Sequence, residues 1–292
     1  MPTLTAKQWK AFYANERIAL GERGLDALFE KAPKVKLPEN GALVFPHTRL
    51  SHTGELVAAV ARAVVESGAP TVRALGVLHG AREQDREQVE AARAGDATAR
   101  KALRRMHGPY ASGRHWVEEF SLDGFEALLE RAAARSGRPA PKVMKWYPFL
   151  VGDDPVGFLD VAENADFGFT GMALGRERDR MPVVATTDPI HHGRGYETPV
   201  DRCMPRESHD TVVKARASIE KSFQLLSERR YADFQAHTLA ERSDFRDVGP
   251  VLMELRPFSR YTIHACELVP YGDVLGAPDP TWVAGALVEV QP

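Results

Sequence analysis

Cysteine and long apolar runs are both scarce in this sequence. Of its 292 residues only two are cysteines, Cys203 and Cys266, and they lie far apart in the chain. We therefore expect no disulfide framework and a reducing, cytoplasmic setting. No apolar stretch approaches the roughly 20 residues that cross a membrane. The N-terminal residues also lack the apolar core of a signal peptide, so no membrane association is expected.

An excess of charge of either sign is also missing. The formal net charge is −2, and no basic stripe stands out. Nucleic acids and anionic membranes attract strongly basic surfaces, so neither is an expected partner. The sequence contains no convincing repeat or low-complexity tract. Its hydrophobic fraction of 43% is sufficient for one sizeable core.

Short apolar runs alternate with segments of helical periodicity. The clearest runs are Ala42–Phe45, Val72–Leu78 and Met181–Thr187, and the clearest helical patterns are Thr5–Lys31 and Ser51–Ser67. Alternation of this kind is typical of βαβ units. We therefore predict an α/β fold in which a mostly parallel central sheet is flanked by helices, with one domain over residues 1–292.

Two segments are expected to stand apart from the sheet. Residues 1–40 form an N-terminal helix and its lead-in to the first strand. Residues 81–115 are rich in Arg, Glu, Asp and Ala and end in a Gly/Pro/Ser loop, which predicts a solvated, charged helical insertion and loop. This insertion could also cover a site or face a neighbouring subunit, so a homo-oligomer is possible.

Histidines follow the buried runs. His47 follows the first run, His79 the second, and the pair His191 and His192 the third. Open α/β sheets bind ligands at the carboxyl ends of their strands, and neutral imidazole is the commonest metal ligand. A single histidine at a strand end is more often a hydrogen-bonded loop residue. Three in equivalent positions favour a site, and two histidines with a carboxylate suit Fe(II).

Six segments resemble motifs of the Memo family, in the same order along the chain. ALVFPHTRLSHTG looks like its PHAGY-x-x-SG segment, ALGVLHG like LGPSHH, and VVATTDPIHHG like VVSSDFCHWG. EEFSLDGFEALLERA with KWYPFLVG is similar to the EHS-x-E helix and PVLVG strand, DFRDVGPVLMEL to CGRHPIGVLL, and TWVAGALVEV to YAAGAL. Memo proteins share a fold with class III extradiol ring-cleavage dioxygenases, which hold Fe(II) with two histidines and a glutamate and use another histidine as acid/base. The resemblance implies the same fold here.

The resemblance also implies a set of site residues. His47 and His79 fall on the metal-ligand histidines, with a one-residue ambiguity at His79, where the family has a histidine pair. Asp244 falls on the third ligand, which is cysteine in Memo and glutamate in the dioxygenases. A carboxylate there favours Fe(II) or Mn(II) over Cu(I). His191 falls on the catalytic histidine, and Asp188 could orient it or serve only as a turn residue.

Other positions remain open on the sequence. If Asp244 is not the third ligand, Asp247 and Glu267 are the next carboxylates, and Cys266 is an outside candidate. Phe120 replaces the histidine of the EHS motif, which implies a different substrate pocket. The candidate substrate-binding residues are Arg49, His52, His192 and Tyr196, although residues such as Arg49 and His52 are individually more often structural or exposed.

Three functions follow from these patterns. The first is a non-haem Fe(II)-dependent dioxygenase that combines O2 with a small aromatic substrate such as a catechol or aminophenol. The second is a Memo-like iron- or copper-binding protein without ring cleavage. The third is a metallohydrolase in which Zn(II) or Mn(II) activates water. The carboxylate at Asp244 and the retained His191 favour the first.

Overall fold

A mixed sheet forms the centre of the protein. The computed structural model describes residues 4–77, 79, 91, 96–99, 119–147 and 181–292. The strands are β1 (Ala42–Phe45), β2 (Thr71–Leu75), β3 (Lys142–Trp146), β4 (Val183–Thr186), β5 (Ile190–Gly193), β6 (Arg260–Pro270) and β7 (Thr281–Gln291). They form one seven-stranded sheet in the order β3-β2-β4-β1-β7-β5, and β6 also pairs with β7.

Helices flank this sheet. The described α-helices are α1 (Ala6–Lys31), α2 (Leu50–Glu66), α3 (Asp123–Ser136), α4 (His209–Ser227), α5 (Tyr231–Ala240), α6 (Phe245–Leu255) and α7 (Gly272–Leu275), with 3-10 turns at Arg194–Tyr196 and Val200–Arg202. The predicted apolar stripe of α2, which includes Leu56, Val60 and Val64, is fully buried. None of these helices combines the length and apolarity that crossing a membrane requires.

Helix α1 carries aromatic residues to the edge of the sheet where the site lies. It begins with a capping box in which Thr5 and Gln8 exchange hydrogen bonds between side chain and backbone. The sequence predicts interruptions at Gly21 and Gly24; Gly21, at φ 57°, does interrupt the helical geometry, whereas Gly24 does not. Upstream of this break, α1 carries Trp9 and Tyr13, which line the same cavity as His47.

The expectation of a mostly parallel sheet is wrong. The pairs β1·β4, β2·β3 and β2·β4 are parallel. β7, however, is antiparallel to its three neighbours β1, β5 and β6. A parallel neighbour requires a crossover of a dozen or more residues. Residues 271–280, which include only the short α7, separate β6 from β7. This connection is too short for a parallel crossover.

A second correction concerns residues 244–250, where the sequence predicts a turn. Helix α6 instead begins at Phe245 and includes Pro250. Apolar residues recur at helical spacing through Phe245, Val248 and Leu252, and all three side chains are buried. Burial of this stripe outweighs the helix-breaking tendency of the Gly-Pro pair.

The predicted segments that lie away from the sheet are not all described. The charged insertion at 81–115 lies largely outside the described residues. The sequence also predicts a short helix at 154–165, and this segment lies wholly outside them. Both stay predictions, as does the assignment of one domain to residues 1–292. The two cysteines, Cys203 and Cys266, are both free thiols.

Candidate metal centre

Three histidine rings converge on one carboxylate oxygen. The Nε2 atoms of His47, His79 and His191 lie 3.4, 3.8 and 3.7 Å from Oδ2 of Asp244. The four residues come from distant parts of the chain: the loop after β1, the segment after β2, strand β5, and the residue that precedes α6. β1 and β2 both pair with β4 in parallel, so their carboxyl ends meet at one edge of the sheet.

His47 is held on both sides by residues at the end of β4. Its backbone N–H donates to Oδ1 of Asp188 at 3.1 Å, and its Nδ1 lies 3.2 Å from the Thr186 hydroxyl. Thr186 is the register partner of Phe45 in the parallel ladder, which sets the spacing between the two loops. These contacts fix the ring so that Nε2 faces Asp244.

His79 is held by a buried carboxylate. Glu119 accepts hydrogen bonds from the backbone N–H of His79 at 2.7 Å and from its Nδ1 at 3.0 Å, and also from the backbone N–H groups of Phe120 and Ser121. Burial disfavours the charged form of His79, but Glu119 and Asp244 outweigh it and raise the pKa of His79 to about 10. Phe120 stacks on the His79 ring at 4.4 Å between centroids. The ring is therefore fixed with Nε2 towards Asp244.

Replacement of Glu119 by glutamine should weaken metal binding without unfolding the protein. A carboxylate that accepts a hydrogen bond from the distal nitrogen of a ligating histidine fixes the ring and raises its basicity, and loss of such a partner costs about 10- to 100-fold in metal affinity. We expect a loss in this range for Glu119→Gln in an anaerobic Fe(II) titration. The matched control is Glu289→Gln. The Glu289 carboxylate, on β7, lies 2.9 Å from Nε2 of His264, on β6, so this change also removes the carboxylate partner of a histidine. Equal affinities of the two variants would contradict the role of Glu119.

The two buried aspartates differ in charge. Burial raises the pKa of Asp188, and the neighbouring His47 and His191 only partly offset this effect. Burial also opposes ionisation of Asp244, but His191, His47 and His79 together hold its pKa well below the usual range. Asp244 is therefore the firmly anionic oxygen donor of the cluster, and Asp188 more readily holds a proton.

His191 is oriented by the segment between α5 and α6. Its Nδ1 lies 2.8 Å from the carbonyl oxygen of Arg242, which can only accept, so Nδ1 carries the hydrogen and donates it. The backbone N–H of His191 donates to the carbonyl of Glu241 at 3.0 Å. The Tyr196 ring meets the imidazole edge-on at 5.0 Å. In the neutral ring, Nε2 therefore keeps a lone pair directed at the cluster.

The ligand atoms fall into two sets. His47, His79 and Asp244 each offer one atom, and these atoms lie within 4.8 Å of one another. Asp188, His191 and Asp244 form a second such set. Within the described part of the chain, neither set includes the alternative ligands Asp247, Glu267 or Cys266. Cys266 lies on β6 opposite Ala286, where burial raises the pKa of its thiol to about 11.

A cavity of about 100 Å³ opens onto the cluster. His47, His79, His191 and Asp188 form its polar wall. Its other described lining residues are Trp9, Tyr13, Phe120, Tyr196, Tyr271 and Val283. Five aromatic rings thus border the space beside the candidate ligands, an arrangement suited to a small planar ring.

Of the four candidate substrate-binding residues, Tyr196 alone lines this cavity. Arg49 instead donates to Asp273 at 3.1 Å and to the carbonyl of Pro270. His52 is exposed on α2, where its Nδ1 lies 3.0 Å from the Ser51 hydroxyl. His192 points away from His191 along β5: its Nε2 accepts the N–H of Met204 and its ring stacks on Trp282, 4.5 Å away. Alternation of side chains along a strand separates the two neighbouring histidines.

Several residues of the site are missed by sequence reasoning. Glu119 and Thr186 orient the ligand histidines, and Trp9, Tyr13 and Tyr271 form the aromatic wall. Glu119 carries a weak signal, because it stands directly before Phe120 in the segment that resembles EHS. The aromatic residues carry none, because their spacing fits an ordinary buried helix face or strand end.

The donor set fits a divalent transition metal. Two imidazoles with hydrogen-bonded Nδ1 atoms and one anionic carboxylate are the donors that Fe(II), Mn(II) and Zn(II) accept, and each is already oriented by a neighbouring group. His47, His79 and Asp244 could therefore hold a metal ion. No protein-family model and no curated protein matches this chain, so the site stands on its own geometry.

Proposed function

We propose that this protein is a non-haem Fe(II)-dependent dioxygenase of Memo-like fold that acts on a small catechol- or aminophenol-like ring. One observation carries the proposal: two histidines and one carboxylate within 4.8 Å of one another adjoin a cavity with five aromatic rings in its wall. Two histidines and one carboxylate are the ligand set of many Fe(II) oxygenases, because they leave coordination positions open.

In this proposal, His47, His79 and Asp244 hold the metal. Bound Fe(II) would supply the coordination positions at which a chelating substrate and O2 are activated. Thr186 and Glu119 keep the two rings in place, through contacts of 3.2 and 3.0 Å to their Nδ1 atoms. The anionic Asp244 offsets part of the metal charge.

His191 acts as the proton-transfer group. Its Nδ1–H is committed to the Arg242 carbonyl, so its Nε2 is the atom that can take a proton from a substrate hydroxyl and return it later. His191 lines the cavity, and its Nε2 lies 3.7 Å from Oδ2 of Asp244. Asp188 accepts the backbone N–H of His47 at 3.1 Å and lies beside His191, where it can help to orient the ring.

The aromatic wall binds the ring and keeps water out. Phe120 lies against His79 and Tyr13, at centroid distances of 4.4 and 5.1 Å, and Tyr196 covers the edge of His191. Aromatic side chains favour offset-stacked and edge-to-face contacts with another ring. A flat substrate therefore gains contact area in this cavity while its oxygen atoms face the polar wall.

Oxygen consumption by the reconstituted protein tests the function. Protein purified without oxygen and loaded with Fe(II) should consume O2 with at least one member of a panel of catechols and aminophenols, and both atoms of ¹⁸O2 should enter the product. Protein loaded with Zn(II), a divalent ion without redox chemistry, should consume none. Iron binding without uptake for any ring would contradict the dioxygenase, and hydrolysis by the Zn(II) form would indicate a metallohydrolase.

A further inference from the structure

Two buried tyrosines in the cavity wall share one hydrogen bond, which leaves one of their two hydroxyl hydrogens without an acceptor among the described residues. The hydroxyl oxygens of Tyr13, on α1, and Tyr271, directly after β6, lie 2.7 Å apart. One hydrogen bond between two phenols uses one of their two O–H groups. Within the ranges that the structure describes, neither hydroxyl makes a second hydrogen bond. The other O–H group is therefore available as a donor.

This donor belongs to the cavity. Both tyrosines line it, together with His47 and His191, and both side chains are buried. A buried O–H group that lacks an acceptor costs free energy, so an acceptor inside the cavity is favoured. Burial raises the pKa of both phenols well above the ordinary value, and this keeps both hydroxyls protonated as donors.

The charges around the cavity indicate what kind of acceptor fits. Asp188 lies in the cavity wall, and Asp244 adjoins it beside His191. The described lining residues include no lysine or arginine that would offset a further negative charge. An additional carboxylate on the substrate would be buried without a cationic side chain to pair with, whereas a neutral oxygen needs only a hydrogen-bond donor.

We propose that the Tyr13–Tyr271 pair donates a hydrogen bond to an uncharged oxygen substituent on the substrate ring, and that this contact sets substrate preference. The proposal rests on the proposed function, because it takes the occupant of the cavity to be a metal-chelating ring. It narrows the substrate to catechol- or aminophenol-like rings that carry a carbonyl or similar neutral oxygen acceptor. Rings that carry a carboxylate or only alkyl groups are disfavoured.

Anaerobic calorimetry on the Fe(II)-loaded protein tests this preference. The probes are 4-formylcatechol, 4-methylcatechol and 4-carboxycatechol, which share the chelating group and differ in the substituent. The wild type should bind the formyl ring more tightly than the methyl ring, by about 2- to 12-fold from one hydrogen bond. It should bind the carboxylate ring less tightly than the formyl ring.

The variant Tyr13→Phe/Tyr271→Phe isolates the hydrogen bond. Removal of both hydroxyls leaves no unpaired polar atom, so this variant should fold as the wild type does. The formyl group also changes the catechol itself, so the informative quantity is the formyl-to-methyl affinity ratio in the variant relative to the wild type. This ratio should fall to about the value that the substituent alone produces. The two single variants show which hydroxyl faces the ring, because only its loss removes the preference fully.

The control is Tyr231→Phe, which removes a hydroxyl that donates to Glu254 at 3.1 Å, away from the cavity. It should keep the wild-type ratio. An unchanged ratio in the double variant, with rings that still bind and support O2 uptake, overturns this proposal alone. Tightest binding of 4-carboxycatechol overturns the assignment of a neutral acceptor. Failure of all three rings to bind the wild type overturns this proposal, and a lack of O2 uptake with every catechol and aminophenol of the panel overturns the proposed function as well.

Discussion

Replacement of Asp244 by asparagine should abolish stable metal retention. Asp244 is the anionic donor on which three imidazole Nε2 atoms converge, at 3.4 to 3.8 Å. Loss of an outer partner of a ligand already costs about 10- to 100-fold in metal affinity, so loss of the charged ligand should cost more than about 100-fold. Metal analysis after anaerobic loading and desalting measures this directly. His47→Ala should give the same result.

The matched control lies in the first turn of α6, the helix that Asp244 precedes. Asp247 is also buried, stands three positions after Asp244, and is the alternative ligand that the sequence offers. The change Asp247→Asn alters the same chemical group but should leave about one metal per chain. The reverse pattern, with metal lost from the Asp247 variant and kept by the Asp244 variant, would show that the third ligand is assigned to the wrong carboxylate.

His191→Ala should retain the metal and lose turnover. His191 does not belong to the set formed by His47, His79 and Asp244, and its Nδ1–H is occupied by the Arg242 carbonyl. Proton transfer by a positioned side chain contributes about 10²- to 10⁴-fold to rate, so the rate of O2 uptake should fall by this amount. The affinity for 4-methylcatechol should change little, since the metal and the aromatic wall remain.

The comparison variant for this test is His264→Ala, which removes a histidine paired with Glu289 on β6 and β7. It should keep both the metal and the turnover of the wild type. If His191→Ala lost metal to the same extent as Asp244→Asn, the distinction between Asp244 as a ligand and His191 as the proton-transfer group would be wrong. The second ligand set, with Asp188 and His191 beside Asp244, would then be the metal site.

The strands and their histidines are predictable from the sequence because each carries a local signal. Ala42–Phe45 is a strand at the predicted bounds, the run before Asp188 contains β4, and the run Val72–Leu78 overlaps β2. Parallel pairing of these strands then brings their carboxyl ends together. A local pattern, one topological rule and the resemblance to Memo motifs are thus what predict that His47 and His79 converge with Asp244.

The supporting residues are not predictable in this way, because their roles depend on long-range contacts. Glu119 reaches His79 across 40 positions of sequence, and Tyr13 reaches Tyr271 across 258. No periodicity within a single segment encodes such a pair. For His192 the sequence predicts a role in the site that the structure does not support. Its position beside His191 suggests a shared site, but successive side chains of β5 point to opposite faces, and His192 packs on Trp282.

A crystal structure of the Fe(II)-loaded protein, with anomalous diffraction data collected at the iron edge, tests the metal centre most directly. We predict one anomalous peak per chain, bonded to Nε2 of His47, Nε2 of His79 and the Asp244 carboxylate, with His191 beside it and not bonded. A peak held instead by Asp188, His191 and Asp244, or no peak at this edge of the sheet, would contradict the account.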